Sequence, residues 1–229
     1  MLRLYLIRHG QSTNNAQPNF SKHEFEPPLT NKGIQETQAI ANHLAHGSDN
    51  GALSHGYVIH HIYSSPQLRA LQTAAPLAKK FNCRPEIWVQ THERGGVVIL
   101  HHKGVQHHPG LTRTEIIKQF PMFKIPYQIT DKGWWHGREK LESNDEVNIR
   151  ARVVVNGLFI KARKSQDIGV AMVSHNTFLN SLVQVLLKDR DNRYLHHNGG
   201  LSRIDIDSKG IATLKYFNRT HHLDQTWVS

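Results

Sequence analysis

Four short polar stretches of this chain combine residue types that can bind and transfer a phosphoryl group. RHGQSTN at 8–14 follows an apolar run, and SSPQLRALQTA at 64–74, THERGG at 91–96 and VSHN at 173–176 are also set at strand ends or helix starts. Together they supply Arg8, Arg69, His9, His175 and Glu93. Two guanidinium groups can chelate a phosphoryl group bidentately, and the N–H groups at a helix start add donors and a favourable dipole. The four stretches therefore predict a phosphate pocket.

A histidine at the centre of such a pocket can act as a nucleophile. Neutral imidazole keeps a free lone pair at physiological pH and can form a covalent intermediate. Glu93 then protonates the departing alkoxide and, in a second step, takes a proton from the attacking water. This set of residues needs no metal and no other cofactor.

The elements that must position these residues alternate between strands and helices. The apolar run at 2–7 predicts a buried strand. The segment PPLTNKGIQETQAIANHLAH predicts a helix with Thr30 as its N-cap. The apolar residues at helical spacing that would form its buried face are Ile34, Ala41, Leu44 and Ala45. VIHHIYSS predicts the next strand. SSPQLRALQTAAPLAKKF predicts a second helix with Ser65 at the cap, Pro66 in the first turn, and an inward face of Leu68, Leu71 and Ala75.

The second half of the chain repeats this order. An apolar strand runs through Val173, and after the polar junction Ser174-His175-Asn176 a helix carries one apolar stripe of Leu179, Leu182, Val183 and Leu186. Residues 201–218 predict a hairpin that turns at 207–210. The alternation predicts a three-layer α/β/α fold with a mostly parallel central sheet, in which ligands bind beyond the carboxyl ends of the strands. Arg8, His9 and His175 are predicted at those ends.

The length of 229 residues suits one core, and no linker-like segment divides the chain. We expect a single domain over 1–229. Residues 97–150 are rich in turns, aromatic residues and histidine, and they predict an inserted cap with short helices near 113–120 and 144–164. Within it, the Trp134-Trp135 pair either covers the pocket or packs in the core of the cap.

The composition of the chain indicates which classes of ligand and which cellular surroundings suit the protein. The formal net charge of +10 favours anionic ligands, but no run of five Lys or Arg residues and no known nucleic-acid module is present, which argues against nucleic acid binding. No apolar stretch approaches the roughly 20 residues of a membrane span. The first apolar run is too short for a signal peptide, and the single cysteine, Cys83, suits a reducing compartment, so we expect a cytoplasmic protein.

Histidine is abundant, with 18 residues that include five adjacent pairs. Neighbouring residues on a strand point to opposite faces, and on a helix they diverge, so a His-His pair is not by itself a ligand spacing. HExxH and CxxC patterns are absent from the sequence. We therefore expect solvated or loop histidines and no structural metal.

Arg8-His9-Gly10, Arg69 in SSPQLRALQTA, Glu93 in THERGG and His175 in VSHN resemble, in order and spacing, the motifs of the histidine phosphatase superfamily, also called phosphoglycerate mutase-like. The resemblance extends from the first strand to NRTHHL near the C-terminus. It implies a phosphohistidine on His9, a phosphoryl clamp of Arg8, Arg69 and His175, and Glu93 as acid and base. It also implies a phosphate contact from Asn15, with further hydrogen bonds from Ser12 and the backbone of Asn176.

Each assignment has a structural alternative. Arg8 and His9 can form a strand-end pair, Arg69 can lie on the surface, and His175 can be a buried histidine with ordinary hydrogen bonds. The acid is the least fixed of the roles, because its position varies in the superfamily; the other candidates are Glu86, Glu115 and Glu139.

Within the superfamily, hydrolysis is the function that the sequence favours. After THERGG the chain lacks the tyrosine and paired-arginine segments that the resemblance associates with mutases, while GLTRTEIIKQFP and GWWHGREKLES are more similar to phosphatase branches. We expect a metal-independent phosphatase acting on a small anionic phosphomonoester. A phosphoglycerate-type mutase and a non-catalytic phospho-ligand binding protein are the alternatives, and the sequence determines neither the substrate nor the oligomeric state.

Overall fold

A six-stranded sheet lies at the centre of the computed structural model, which describes residues 1–47, 57–101, 104–137, 140–164 and 167–228. The strands are β1 (Leu2–Arg8), β2 (His61–Ser64), β3 (Glu86–Ile87), β4 (Val98–His101), β5 (Gly104–His107), β6 (Ile168–Ser174), β7 (Leu201–Ile206) and β8 (Ala212–Arg219). The sheet order is β3-β2-β6-β1-β7-β8, and β4 and β5 form a separate antiparallel pair. The first four strands of the sheet are parallel, whereas β7 runs antiparallel to both of its neighbours. The predicted mixed α/β architecture with a mostly parallel sheet is confirmed.

The described residues form six α-helices: α1 (Thr13–Ala16), α2 (Asn31–His46), α3 (Leu68–Lys80), α4 (Arg113–Gln119), α5 (Asn144–Lys164) and α6 (Asn176–Leu187). Side chains of β1 alternate between the two faces, as the strand period of two residues requires. Tyr5 and Ile7 pack in one hydrophobic cluster with residues of α2 and α3. Leu4 and Leu6 pack in a second cluster with residues of α5 and α6. Each face of the sheet therefore has its own apolar core, and the sheet is the middle of three layers.

The predicted N-cap of α2 is confirmed, whereas part of its predicted buried face and the predicted length of α5 are wrong. Thr30 is the N-cap of α2, and its side chain accepts a hydrogen bond from the Gly33 N–H. Ile34, however, is 49% exposed, because the buried stripe of α2 runs through Gly33, Glu36 and Ile40 instead. Helix α5 has 21 residues and is not short.

The start of α3 is also corrected. Gln67, not Ser65, is the N-cap, so Pro66 lies outside the helix. The Ser65 hydroxyl accepts from the Gln67 N–H at 3.3 Å and also lies 2.7 Å from the His175 Nε2. The first N–H of the helix is satisfied by Glu26, whose Oε2 accepts from the Leu68 N–H at 2.9 Å. A cap supplied by a distant residue has no local sequence signal.

Residues 97–150 contribute β4, β5, α4 and the beginning of α5, apart from 102–103 and 138–139, which lie outside the described residues. Val97, Ile116 and Phe123 join the cluster that covers the α2 and α3 face of the sheet. In the described part of the chain, no helix has both the length and the apolar character that a membrane crossing requires.

Candidate active site

Strands β1 and β6 end side by side and deliver the two histidines. Their parallel register pairs Arg8 with Ser174, and the His9 N–H donates to the Ser174 carbonyl oxygen at 3.0 Å. His9 and His175, the next residue on each strand, consequently lie together with ring centroids 4.9 Å apart. Both side chains are buried. The sheet edge thus holds the predicted nucleophile against the second histidine.

The hydrogen bonds of His9 define which ring nitrogen carries the lone pair. Nδ1 lies 2.7 Å from the Gly10 carbonyl oxygen. A carbonyl only accepts, so in neutral His9 the proton is on Nδ1 and the lone pair is on Nε2. The Arg69 Nε donates to that Nε2 at 3.2 Å. Burial, together with the charges of Arg69 and Arg8, holds the pKa of His9 well below 6.5. His9 is therefore neutral at physiological pH, with Nε2 directed at an arginine.

Gly10 is required by close packing. Its N–H donates to the Thr73 hydroxyl at 3.1 Å, and a Cβ added at Gly10 would lie 2.5 Å from the Gly33 carbonyl oxygen of α2. Contacts that short are not sustained by real side chains. The glycine allows the end of β1 and the start of α2 to touch, which fixes the backbone that orients His9.

Two arginines flank the nucleophile. Arg69 lies in the first turn of α3 and is 8% exposed. Arg8 donates from Nη1 to the His196 carbonyl oxygen at 2.7 Å, while its buried Nε has no hydrogen-bond partner among the described residues. Burial lowers the pKa of both guanidinium groups, yet arginine stays protonated in proteins. Buried cations with donor capacity to spare suit the oxygens of a phosphoryl group.

Glu93 is fixed at the N-terminus of α6. Its Oε2 accepts from the Thr177 N–H at 3.1 Å, and its Oε1 accepts from the Phe178 N–H at 3.2 Å. Its own N–H donates to the Gln67 Oε1 at 2.8 Å. These three contacts hold the carboxyl group in one position. Glu93 thereby lies at the first turn of the helix whose N-cap residue is His175.

The other candidates for the acid have different partners. Glu86 forms an ion pair with Lys124 at 3.2 Å. Glu115 accepts from the Thr112 N–H and hydroxyl, in the capping box of α4. Glu139 lies outside the described residues. Of the predicted carboxylates that the structure describes, Glu93 is the one that it brings to His175.

His175 is oriented by a residue that the sequence had suggested for another role. The His175 Nε2 lies 2.7 Å from the Ser65 hydroxyl, and its buried Nδ1 has no partner in the described part of the chain. Burial and the nearby charge of Arg69 hold the pKa of His175 well below 6.5. The imidazole is therefore neutral, and its hydrogen bond to Ser65 sets the angle of the ring.

A family model for the histidine phosphatase superfamily (branch 1) matches residues 4–219. The chain belongs to this superfamily. No curated protein sequence matches it significantly. The paired histidines, the two arginines and Glu93 all lie within the residues that this family model matches.

Solved structures of the superfamily share the fold over almost the whole chain. A phosphoserine phosphatase from Entamoeba histolytica, in complex with 3-phosphoglyceric acid, is 19% identical with a TM-score of 0.61, covering 97% of this chain and 100% of its own. A mycobacterial glucosyl-3-phosphoglycerate phosphatase is 20% identical with a TM-score of 0.61, covering 95% and 99%. The protein histidine phosphatase SixA is 15% identical with a TM-score of 0.55, covering 93% and 94%. The neighbours of this histidine phosphatase fold thus include several phosphatases.

Three further residues, Ser12, Asn15 and Asn176, were predicted to contact the phosphate, and each has its own hydrogen-bond partners in the structure. Ser12 is the N-cap of α1 and forms a capping box with Asn15. The Asn198 side-chain amide donates both to the Asn15 Oδ1 at 3.2 Å and to the His9 carbonyl oxygen at 2.9 Å, which connects Asn15 to the nucleophile. The Asn176 Oδ1 accepts from the His196 N–H at 2.9 Å. The Asn176 side chain therefore supports the loop that carries His196, the acceptor for Arg8.

Sequence reasoning missed two carboxylates close to the arginines. Glu26, whose Oε1 accepts from the Trp134 Nε1 at 3.1 Å, lies near Arg69, and burial raises its pKa. Glu36 accepts from the Gln11 N–H at 2.7 Å and lies near Arg8, and burial raises its pKa also. A signal for Glu36 was available, since it is a carboxylate in the buried stripe of α2. Their negative charge offsets the two guanidinium groups.

The tryptophan pair packs in the core and also reaches the site. Trp134 and Trp135 are each 7% exposed and belong to the cluster on the α2 and α3 face. Their ring centroids lie 5.3 Å and 4.7 Å from that of His92, the neighbour of Glu93. Packing is thus their main role, and Trp134 is linked to the arginine clamp through Glu26.

No group of three or more His, Cys, Asp or Glu side chains that could hold a metal ion occurs within 1–47, 57–101, 104–137, 140–164 and 167–228. The histidines do cluster in one place away from His9. The rings of His43 and His222 stack with centroids 5.1 Å apart, and the His43 Nε2 lies 2.8 Å from the Tyr57 hydroxyl.

Proposed function

We propose that this protein hydrolyses phosphomonoesters through a phosphohistidine on Nε2 of His9. One observation carries the proposal: Nδ1 of His9 is committed to the Gly10 carbonyl, so the lone pair of Nε2 faces the Arg69 guanidinium. A phosphoryl group that takes the Arg69 donors lies within reach of that lone pair. The neutral state of His9, which its lowered pKa ensures, leaves the lone pair available at physiological pH.

The reaction has two steps. First, the Nε2 lone pair forms a bond to phosphorus, the bond between phosphorus and the ester oxygen breaks, and the Glu93 carboxyl gives its proton to that oxygen. Arg8, Arg69 and His175 bind the phosphoryl oxygens as charge redistributes. Second, water attacks phosphorus and gives a proton to the Glu93 carboxylate, and the bond between phosphorus and Nε2 breaks. Orthophosphate leaves, and His9 and Glu93 return to their starting states.

We also propose that the reaction needs no metal ion. Guanidinium groups and backbone N–H groups can stabilise the phosphoryl charge in place of a cation. Turnover is then expected to survive EDTA. We propose a cytoplasmic location as well, which the single, half-buried free Cys83 supports.

The neighbouring structures support a small anionic substrate. Besides the complex with 3-phosphoglyceric acid, a histidine-to-alanine variant of the amoebic phosphoserine phosphatase was obtained with phosphoserine. The mycobacterial glucosyl-3-phosphoglycerate phosphatase binds VO3 and SixA binds tungstate, both oxyanions. We extend this preference for phosphate-like anions to the present chain.

The test is inorganic phosphate release from a panel of phosphomonoesters with EDTA present. His9→Ala is expected to reduce turnover roughly 10³- to 10⁶-fold, because it removes the nucleophile. His46→Ala, which removes an exposed histidine at the end of α2, is the matched control. Acid-labile phosphate bound to the wild-type protein and absent from His9→Ala would support the intermediate. Full activity in His9→Ala would reject it, and isomerisation of a phosphoglycerate without phosphate release would indicate a mutase.

A further inference from the structure

A groove of about 390 Å³ opens on the side of α6, next to the proposed acid. Its lining includes the arginines Arg94, Arg190 and Arg193, the amides Asn176 and Asn180, and Thr177. We call this the α6 groove. Asp191 also lines it, so three guanidinium groups face one carboxylate. The α6 groove therefore has a positive charge balance.

The α6 groove adjoins Glu93 through two of its lining residues. Thr177, which lines it, donates its N–H to the Glu93 carboxylate. Arg94 follows Glu93 directly, and its Nη1 donates to the Asn144 Oδ1 at 2.7 Å, which holds the guanidinium over the groove. The leaving group of a phosphomonoester must lie next to the acid that protonates it. A leaving group at Glu93 can thus extend into the α6 groove.

The loop that carries the other two arginines is held against α6 by hydrogen bonds. The Asn180 Oδ1 accepts from the Tyr194 N–H at 2.7 Å. The Gln184 Nε2 donates to the carbonyl oxygens of Arg190 and Asn192, at 3.4 Å and 2.8 Å. These contacts fix residues 190–194 along two turns of the helix. Arg190 and Arg193 are therefore presented at defined places.

Both of these arginines have donors to spare. Their guanidinium groups form no ion pair with any residue that the structure describes, and both side chains are exposed. An arginine that is placed by its backbone but unpaired can form bidentate hydrogen bonds with a carboxylate or a phosphate. Arg190 and Arg193 differ from Arg150, whose guanidinium forms an ion pair with the Glu142 carboxylate at 2.6 Å.

We propose that the α6 groove binds a second anionic group of the substrate, at a distance from the phosphoryl group. This inference rests on the proposed function, since it places the leaving group at Glu93. From Asn176 to Gln184, eight residues further along α6, the helix rises about 12 Å. An anion at Arg190 and Arg193 then lies up to about that distance from the start of α6. The substrate class is an elongated phosphomonoester with a carboxylate or second phosphate at its far end.

The experiment compares two esters of equal chain length, hexyl phosphate and ω-carboxypentyl phosphate. We expect the wild-type kcat/KM to be higher for the carboxylated ester. Arg190→Gln and Arg193→Gln are each expected to reduce this preference about threefold, and the double variant about tenfold, through a higher KM. Hydrolysis of hexyl phosphate should be unchanged. Arg84→Gln, at an exposed arginine just before β3, is the matched control and should keep the preference.

Two kinetic outcomes would overturn the proposal: equal kcat/KM for the two esters in the wild type, or a preference that persists in the double variant. If neither ester is hydrolysed, the proposed function fails and binding decides the inference. Calorimetric titration with the corresponding phosphonates then supports the α6 groove if the carboxylated phosphonate binds more tightly and loses this advantage in Arg190→Gln/Arg193→Gln. Equal affinities would reject the groove as an anion site.

Discussion

Substitution of Arg69 tests whether this arginine binds the phosphoryl group or only supports the fold. In the structure its Nε donates to His9, and its burial shields the guanidinium from water. Arg69→Gln removes the positive charge and the planar guanidinium group that can donate two parallel hydrogen bonds. Two charge-assisted hydrogen bonds to a phosphoryl group, at about 1.5–3 kcal/mol each, amount to about 3–6 kcal/mol. We therefore expect kcat/KM to fall by roughly 10²- to 10⁴-fold.

The assay is phosphate release at neutral pH, with thermal unfolding measured on the same preparations. Arg69→Lys keeps the positive charge but lacks the planar guanidinium group, so its kcat/KM should lie between those of the wild type and Arg69→Gln. Arg203→Gln is the contrast, because Arg203 is buried on β7 in a bidentate pair with Asp205, at 2.7 Å and 2.8 Å. Breaking that pair should lower stability by about 3–5 kcal/mol while the folded enzyme keeps its kcat/KM. An Arg69→Gln enzyme within threefold of wild type would refute the reasoning.

Two further predictions concern the acid and the buried histidines. Glu93→Gln should slow an alkyl phosphate far more than p-nitrophenyl phosphate, whose leaving group needs no proton, whereas Glu26→Gln should slow both alike because it acts through Arg69. Equal loss on both substrates in Glu93→Gln would contradict its role as acid. Burial lowers the pKa of His196 and His222 to about 4. The unfolded chain takes up these protons near pH 6.5, so the free energy of unfolding should fall between pH 6.5 and pH 4, by about 3 kcal/mol for His196 alone. Urea unfolding across this range measures the slope, which His196→Gln should reduce; a flat profile would count against the assignment.

The positions of the two histidines illustrate what could be predicted from the chain alone. Both follow apolar runs that the strand period assigns to buried strands, and the carboxyl ends of parallel strands meet at one edge of a sheet. Local pattern therefore places His9 and His175 together, and Thr30 and the stripe of α6 follow from equally local rules. The mixed α/β architecture was predictable for the same reason.

The charge balance of the site was not predictable in this way. Glu26 lies near Arg69 only because the chain before α2 reaches the start of α3, where the Glu26 carboxylate accepts from the Leu68 N–H. The contact between the Ser65 hydroxyl and His175, 110 residues apart, likewise has no local sequence signal.

The sequence by itself determined which side chains are candidates for phosphoryl transfer and that His9 and His175 follow buried strands, because residue type and periodicity are local properties. The tertiary structure alone decided the partners of those side chains: the Arg69 guanidinium at Nε2 of His9, the anchoring of Glu93 at α6 and the carboxylates beside the arginines. Such contacts join residues far apart in the chain, and their geometry depends on how the layers pack.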